Sequence, residues 1–167
     1  MAYLDTNVII AYGFDGDPNH EKAVSIIEGG RSVGEFYGST FTLVELFCAL
    51  YRNIQKYRLP PGIEQIVDER SKVRVTVSYL LYNLNIHMFS DESRLMDLDN
   101  LKSFHVFYEA IHLAQKIKLR TLDMLHLAYA NQLAKKNIID YFITLDSAIV
   151  EKKGEIEESI GVKVVSE

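Results

Sequence analysis

The stretch Ala2-Tyr3-Leu4-Asp5-Thr6-Asn7-Val8-Ile9-Ile10 passes within one turn from a short apolar run to a carboxylate, and then to the caps and apolar pattern of a helix. A strand that carries an acid at its C-terminal tip, beside the N-terminus of the next helix, places it where open α/β sheets bind ligands. Three more acids stand in comparable settings. Glu45 lies early in a predicted helix, Asp123 in the first turn of another, and Asp146 at the end of a later apolar run.

Outward from that stretch, short apolar runs alternate with longer segments of helical period. Strands are predicted near residues 2–5, 35–38, 86–89, 140–145 and 162–165. They are apolar on both faces, which suits a buried parallel sheet. Helices are predicted near 7–14, 20–29, 42–57, 63–84, 93–118, 121–136 and 147–158, with a break inside 93–118 at Asp97-Leu98-Asp99-Asn100. This alternation predicts a three-layer α/β/α domain with a central, mostly parallel five-stranded sheet. In the helix from 42, Leu43, Phe47, Leu50, Tyr51 and Ile54 form the expected buried face; in the helix from 121, Leu122, Leu125, Tyr129 and Leu133 do so. Tyr79, Tyr82, Phe104, Phe107 and Tyr108 are expected in the core, with part of the set available to a dimer face. Asp91, Glu92, Asp97 and Asp99 are expected to be solvated.

The 167 residues fit one domain, 1–167, with no composition break to mark a boundary. No run of about 18 uncharged apolar residues exists and no basic region precedes a hydrophobic segment, so a soluble, cytoplasmic protein away from membranes is expected. The single cysteine, Cys48, cannot pair internally and is expected as a small core residue. A net charge of −5, from 23 acidic and 18 basic side chains, argues against a protein that coats nucleic acid nonspecifically. It is compatible with a nuclease, whose acidic site is neutralised by bound cations.

Each acid has an ordinary structural alternative. Asp5 and Asp146 could cap the helices that follow them, Thr42-Leu43-Val44-Glu45 matches a capping box, and Asp123 could complement the positive end of a helix capped by Thr121. Their conjunction favours a shared role. In a parallel sheet all four face one edge, and two like charges 4 Å apart cost roughly 4 kcal/mol at an effective dielectric of 20. Caps need not converge, whereas metal ligands must. All-oxygen donors without a Cys/His set select Mg²⁺ or Mn²⁺ over zinc.

Leu4-Asp5-Thr6-Asn7-Val8-Ile9-Ile10, Leu43-Val44-Glu45-Leu46, Leu122-Asp123-Met124-Leu125-His126-Leu127-Ala128 and Phe142-Ile143-Thr144-Leu145-Asp146 resemble, in order and approximate spacing, the four signature segments of PIN-domain ribonucleases. The resemblance spans essentially the whole chain and is closest to the VapC-type toxins of toxin–antitoxin pairs. It implies a PIN-like fold, Asp5, Glu45, Asp123 and Asp146 as metal-binding catalytic acids, and Thr6, Asn7 and Thr144 beside them at the substrate. It further implies an RNA substrate, a cognate antitoxin protein and a homodimer. The helical stretch from 63 to 118 is longer than a minimal member requires.

Lys116, Lys118 and Arg120 run into Asp123, either as a strip for RNA phosphates or as cations that complement a helix C-terminus. Arg52, Lys56 and Arg58 form a second strip of the same ambiguity. His126, one turn after Asp123, is expected at a pocket margin. The sequence thus predicts a metal-dependent endoribonuclease, with a catalytically silent α/β interaction module as the alternative. An aspartyl-phosphate phosphatase is disfavoured, because the second acid expected two residues after Asp5 is Asn7.

Overall fold

The computed structural model describes residues 1–29, 34–91, 94–98 and 101–167. Five strands, β1 (Ala2–Leu4), β2 (Phe36–Ser39), β3 (Ile86–Phe89), β6 (Tyr141–Ile143) and β7 (Lys163–Val165), form one sheet in the order β3-β2-β1-β6-β7. Every neighbouring pair in it is parallel, so both faces must be covered by helices. Strand alternation divides the core accordingly: Ala2 and Leu4 pack on one side and Tyr3 on the other.

The Ala2 side is closed by α1 (Thr6–Gly13), α2 (His20–Gly29), α3 (Thr40–Asn53) and α5 (Glu69–Asn83) through Val8, Ile9, Ile26, Leu46, Leu50, Val73 and Leu80. The Tyr3 side is closed by α6 (His105–Ala114), α7 (Thr121–Lys135) and α9 (Lys153–Ile160) through Leu113, Leu127, Leu133 and Ile156. Both interiors are mainly aliphatic around a few buried rings, among them Tyr3 and Phe142 on one side and Phe14 on the other, and α7 is buried continuously from Met124 to Leu133.

β1 is the central strand and the point of topological reversal, with β2 and β3 to one side and β6 and β7 to the other. Leu4 pairs with Ile143, so Asp5 and Thr144 leave the sheet side by side into the crevice where such folds bind ligands.

Several elements differ from expectation. Residues 95–98 and 101–104 form an antiparallel strand pair, β4 (Leu95–Leu98) and β5 (Leu101–Phe104), in place of helix. Leu95, Leu98, Leu101 and Phe104 recur every three residues and imitate a helical stripe, but here Leu95 faces Phe104 and Leu98 faces Leu101 across the ladder. Asp99 and Asn100, of the anticipated break, lie outside the described residues, as does Glu92. The 63–84 segment divides into α4 (Pro61–Glu64) and α5, with Asp68 capping α5 through Ser71 N–H at 2.7 Å. The C-terminal segment divides into α8 (Ser147–Glu151) and α9.

Burial also departs from pattern. The buried stripe of α3 is Thr42, Leu46 and Leu50, while Tyr51 is exposed. Leu122, Tyr82, Phe104 and Phe107 are exposed rather than in the core. Asp91 is not solvated: its Oδ2 accepts from Val106 N–H at 2.9 Å and tethers the approach to α6.

Candidate metal centre

At the C-terminal edge of β1 and β6 a cleft of about 750 Å³ opens between α1, α3 and α7. Asp5, Glu45, Asp123 and Asp146 all line it, with Thr6, Asn7, Arg52, Arg120 and His126. Its outer wall is apolar, from Ile10, Phe41, Val44, Cys48 and Leu122. Cys48 is therefore an exposed cleft residue, against the expectation of a core position. Thr144 is fully buried beneath the floor. Lys118 is exposed and outside the lining set.

Asp5 sits at the N-cap position of α1, yet its side chain makes no capping hydrogen bond. Its Oδ2 instead accepts from Thr144 Oγ1 at 2.7 Å and Asn7 Nδ2 at 2.8 Å. Asn7 in turn accepts at Oδ1 from Leu145 N–H at 3.1 Å, which locks the β6–α8 connection to α1. The Thr144 hydroxyl also accepts from Asp146 N–H at 3.0 Å, so one side chain fixes two of the acids.

Glu45 is not part of a capping box. The actual box lies three residues upstream, where Ser39 Oγ accepts from Thr42 N–H and Thr42 Oγ1 from Ser39 N–H, each at 3.1 Å. Glu45 is thereby released to the second turn of α3. Its Oε2 accepts from Thr6 Oγ1 and from His126 Nε2, both at 2.6 Å. Asp5 and Glu45 share a construction in which protein donors grip one oxygen of the carboxylate. Ligand atoms of Asp5, Glu45 and His126 lie within 4.8 Å of one another, a cluster able to hold a metal ion.

Asp123 and Asp146 are held differently. Arg120 is the N-cap residue of α7, in place of the expected Thr121, and makes no cap hydrogen bond. Its Nε lies 3.1 Å from Asp123 Oδ2 and its Nη2 2.8 Å from Asp146 Oδ2. The capping alternative holds for Asp146 alone, whose Oδ1 accepts from Ala148 N–H at 2.8 Å.

The electrostatics follow from burial and crowding. Burial raises the Asp5 carboxyl above its ordinary range, with Glu45 adding to the rise, against the opposing pull of His126 and Thr144. Burial also works against ionised Glu45, but the hydrogen bond and charge of His126, with Thr6 and Arg52, outweigh it and leave the carboxyl low. For His126, burial disfavours the imidazolium, and the bond to Glu45 with the charges of Asp5, Glu45 and Asp123 more than offsets it. The floor is thus net anionic, and the two acids best placed as ligands are pre-oriented. An oxygen-rich donor set of this kind suits Mg²⁺ or Mn²⁺. The nearby imidazole is a departure from the all-oxygen expectation.

His126 is the feature that sequence reasoning underrated. It is 3% exposed and bridges Glu45 to the hydroxyl of Tyr3. The available signal was a tyrosine two residues before Asp5 and a histidine three after Asp123, and only the fold brings them together.

The sequence matches the PIN domain over residues 2–155, and the chain belongs to the PIN domain family. Among solved structures it is similar to Mycobacterium tuberculosis VapC20, described as a toxin that cleaves the sarcin-ricin loop. The TM-score is 0.57 at 13% identity, covering 90% of this chain and 95% of that one. It is also similar to VapBC2 from Rickettsia felis, solved bound to a DNA fragment from its promoter. There the TM-score is 0.54 at 11% identity, covering 99% of this chain and 98% of that one. At such identities the likeness is one of fold. No curated protein matches the chain by sequence.

Proposed function

We propose that this PIN-domain protein is a Mg²⁺- or Mn²⁺-dependent endoribonuclease, the toxin of a toxin–antitoxin pair. The observation that carries the reading is the delivery of four acids from four separate segments to one cleft at the reversal point of the sheet. Asp5 and Glu45 would hold the ion, with Asp123 and Asp146, now paired with Arg120, completing its surroundings. A divalent ion bound there lowers the pKa of a water and offsets charge on the phosphate under attack. The chain's own residues supply position: Thr144 and Asn7 orient Asp5, and Thr6 orients Glu45. Arg52 and Arg120 at the rim, with Lys118 beyond it, bind RNA phosphates, and the apolar wall of Val44 and Leu122 gives a base a surface on which to pack.

The guanidinium of Arg120 across Asp123 and Asp146 supports a mode of inhibition, in which an antitoxin inserts an arginine against the same pair. VapBC2, the relative solved on promoter DNA, lends the antitoxin reading its support by likeness of fold. Among the described residues no helix is long and apolar enough to cross a membrane, in keeping with action in the cytoplasm. A homodimer is expected. Leu95 and Phe104, opposite each other in the antiparallel strand pair, and Phe107 and Ile111, one turn apart on α6, offer exposed apolar surface to a second copy.

The test is cleavage of a structured RNA with Mg²⁺ or Mn²⁺ and its arrest by EDTA. Asp5→Asn should abolish cleavage while leaving the fold intact. Cleavage in EDTA, or in the variant, rules the reading out.

A further inference from the structure

Beneath the carboxylates lies a buried chain of polar groups. Tyr3, on the central strand, is completely buried. Its hydroxyl lies 2.8 Å from Ser39 Oγ, 3.1 Å from Thr42 Oγ1 and 2.8 Å from His126 Nδ1. The ring stacks on Phe142 at 5.5 Å between centroids, which fixes where the hydroxyl points. The imidazole is clamped edge-on between two rings, Tyr3 at 5.8 Å and Phe41 at 4.9 Å. Little freedom is left to it. Its far nitrogen, Nε2, meets Glu45 Oε2 at 2.6 Å.

An ionised carboxylate only accepts hydrogen bonds, so Nε2 must carry a hydrogen whether the ring is neutral or protonated. A nitrogen that carries a hydrogen has no lone pair to give a metal. The nearness of His126 to Asp5 and Glu45, which by distance alone makes it a third ligand, is therefore that of a donor. Thr6 donates to the same oxygen of Glu45 from the other element at the cleft. Both donors fall on Oε2, and among the described residues Oε1 accepts no hydrogen bond, while Glu45 lines the cleft.

We infer that Tyr3 and His126 are positioning residues for Glu45: the tyrosine hydroxyl fixes the imidazole, the imidazole holds one oxygen of Glu45, and His126 itself does not ligate the ion. This rests on the metal-dependent reading of the cleft. Its consequence is that the aim of an acid carried on α3 is referenced to the central strand of the sheet as well as to the start of its own helix. Carboxylates and imidazoles that orient metal ligands in this way typically change metal affinity or activity by about 10–100-fold when removed.

The experiment is Mn²⁺ titration by calorimetry on the wild type, His126→Ala, His126→Gln and Tyr3→Phe, with electron spin echo spectroscopy on the wild-type Mn²⁺ complex. A glutamine amide reaches the place of Nε2 and donates as it does, but it is a poor metal ligand. We expect no nitrogen coupling to Mn²⁺ in the wild type. Affinity should fall by about 10–100-fold in His126→Ala, be largely retained in His126→Gln, and fall by a smaller factor in Tyr3→Phe, with the KM for RNA unchanged in the last. Nitrogen coupling from an imidazole, a His126→Gln variant as weak as His126→Ala, or a His126→Ala variant as tight as wild type overturns the inference. The spectroscopic arm needs no variant, so a substitution that fails to fold leaves the test standing. A wild type that binds no Mn²⁺ overturns the metal-dependent reading itself, whereas binding with nitrogen coupling overturns the positioning role alone.

Discussion

Arg120 reaches from the start of α7 to Asp146 at the start of α8, its Nη2 2.8 Å from Oδ2, while its Nε stays 3.1 Å from Asp123. One guanidinium offsets two of the four acids from within the chain. It occupies the side of the cleft that a divalent ion or a phosphate must share.

Arg120→Gln should therefore separate binding from turnover. Freed of an internal competitor, Asp123 and Asp146 draw Mn²⁺ more strongly, by up to about fivefold for an exposed pair. RNA cleavage should fall all the same, because the proposed phosphate contact of Arg120 is lost. Calorimetry and a cleavage assay on the same preparation check this, and weaker Mn²⁺ binding in the variant contradicts it.

The pH dependence of the metal-free protein follows from the direction of each shift. His126 holds its proton more tightly in the fold than at its ordinary 6.5, so its contribution is complete below that value and lost as pH rises through the higher folded one. Glu45 is held below its ordinary 4.5, so its contribution is present above that value and lost as pH falls through the lower folded one. Asp5, raised above 3.8, works the other way and costs stability as it ionises. Melts in EDTA should show stability declining as pH rises past the His126 range. His126→Gln should remove that decline; an identical decline in the variant counts against the assignment.

Thr144→Val keeps shape and removes the hydroxyl that serves both Asp5 Oδ2 and Asp146 N–H. Two polar groups lose a partner, at a cost of about 1–3 kcal/mol. The Thr144 hydrogen bond lowers the Asp5 pKa, so its loss raises that carboxyl further and moves the onset of Mn²⁺ binding to higher pH. Calorimetry across a pH series reads the shift, and an unmoved onset refutes it.

Away from the cleft, Glu109 joins α6 to α7. Its Oε2 accepts from Asn131 Nδ2 at 2.5 Å, and its Oε1 from Lys135 Nζ at 2.7 Å, with His105 Nε2 at 3.3 Å. Glu109→Ala leaves the buried Asn131 amide without its acceptor. The expected cost is about 2–4 kcal/mol, or roughly 4–16 °C in Tm for a domain of this size. RNA cleavage per folded molecule should not change, because Glu109 lies outside the cleft lining.

The five sheet strands were legible because a parallel sheet covered on both faces writes its strands as bare apolar runs. Asp5 was legible for a related reason: an acid at the end of such a run has nowhere to go but the edge of the sheet. The antiparallel strand pair was not, since Leu95, Leu98, Leu101 and Phe104 satisfy a helical stripe and a two-stranded ladder equally well. Periodicity also cannot tell a cleft wall from a core. Cys48 and Leu122 are apolar positions on helices, and each turns out to face the open cleft. Glu45 was legible as a candidate, but its freedom from capping depended on a helix start three residues earlier than the Thr42 reading. The Tyr3–His126 contact spans 123 residues and no local pattern announces it.

The place of β1 in the sheet has a consequence for the order in which the protein is made. Asp5 depends on Thr144, a partner 139 residues further along. A ribosome delivers the central strand well before its neighbour β6, so an emerging chain carries the acid long before Thr144 can help to aim it. If the protein cuts RNA as proposed, this order is protective: Asp5 lacks the hydroxyl that orients it until β6 and Thr144 have been made.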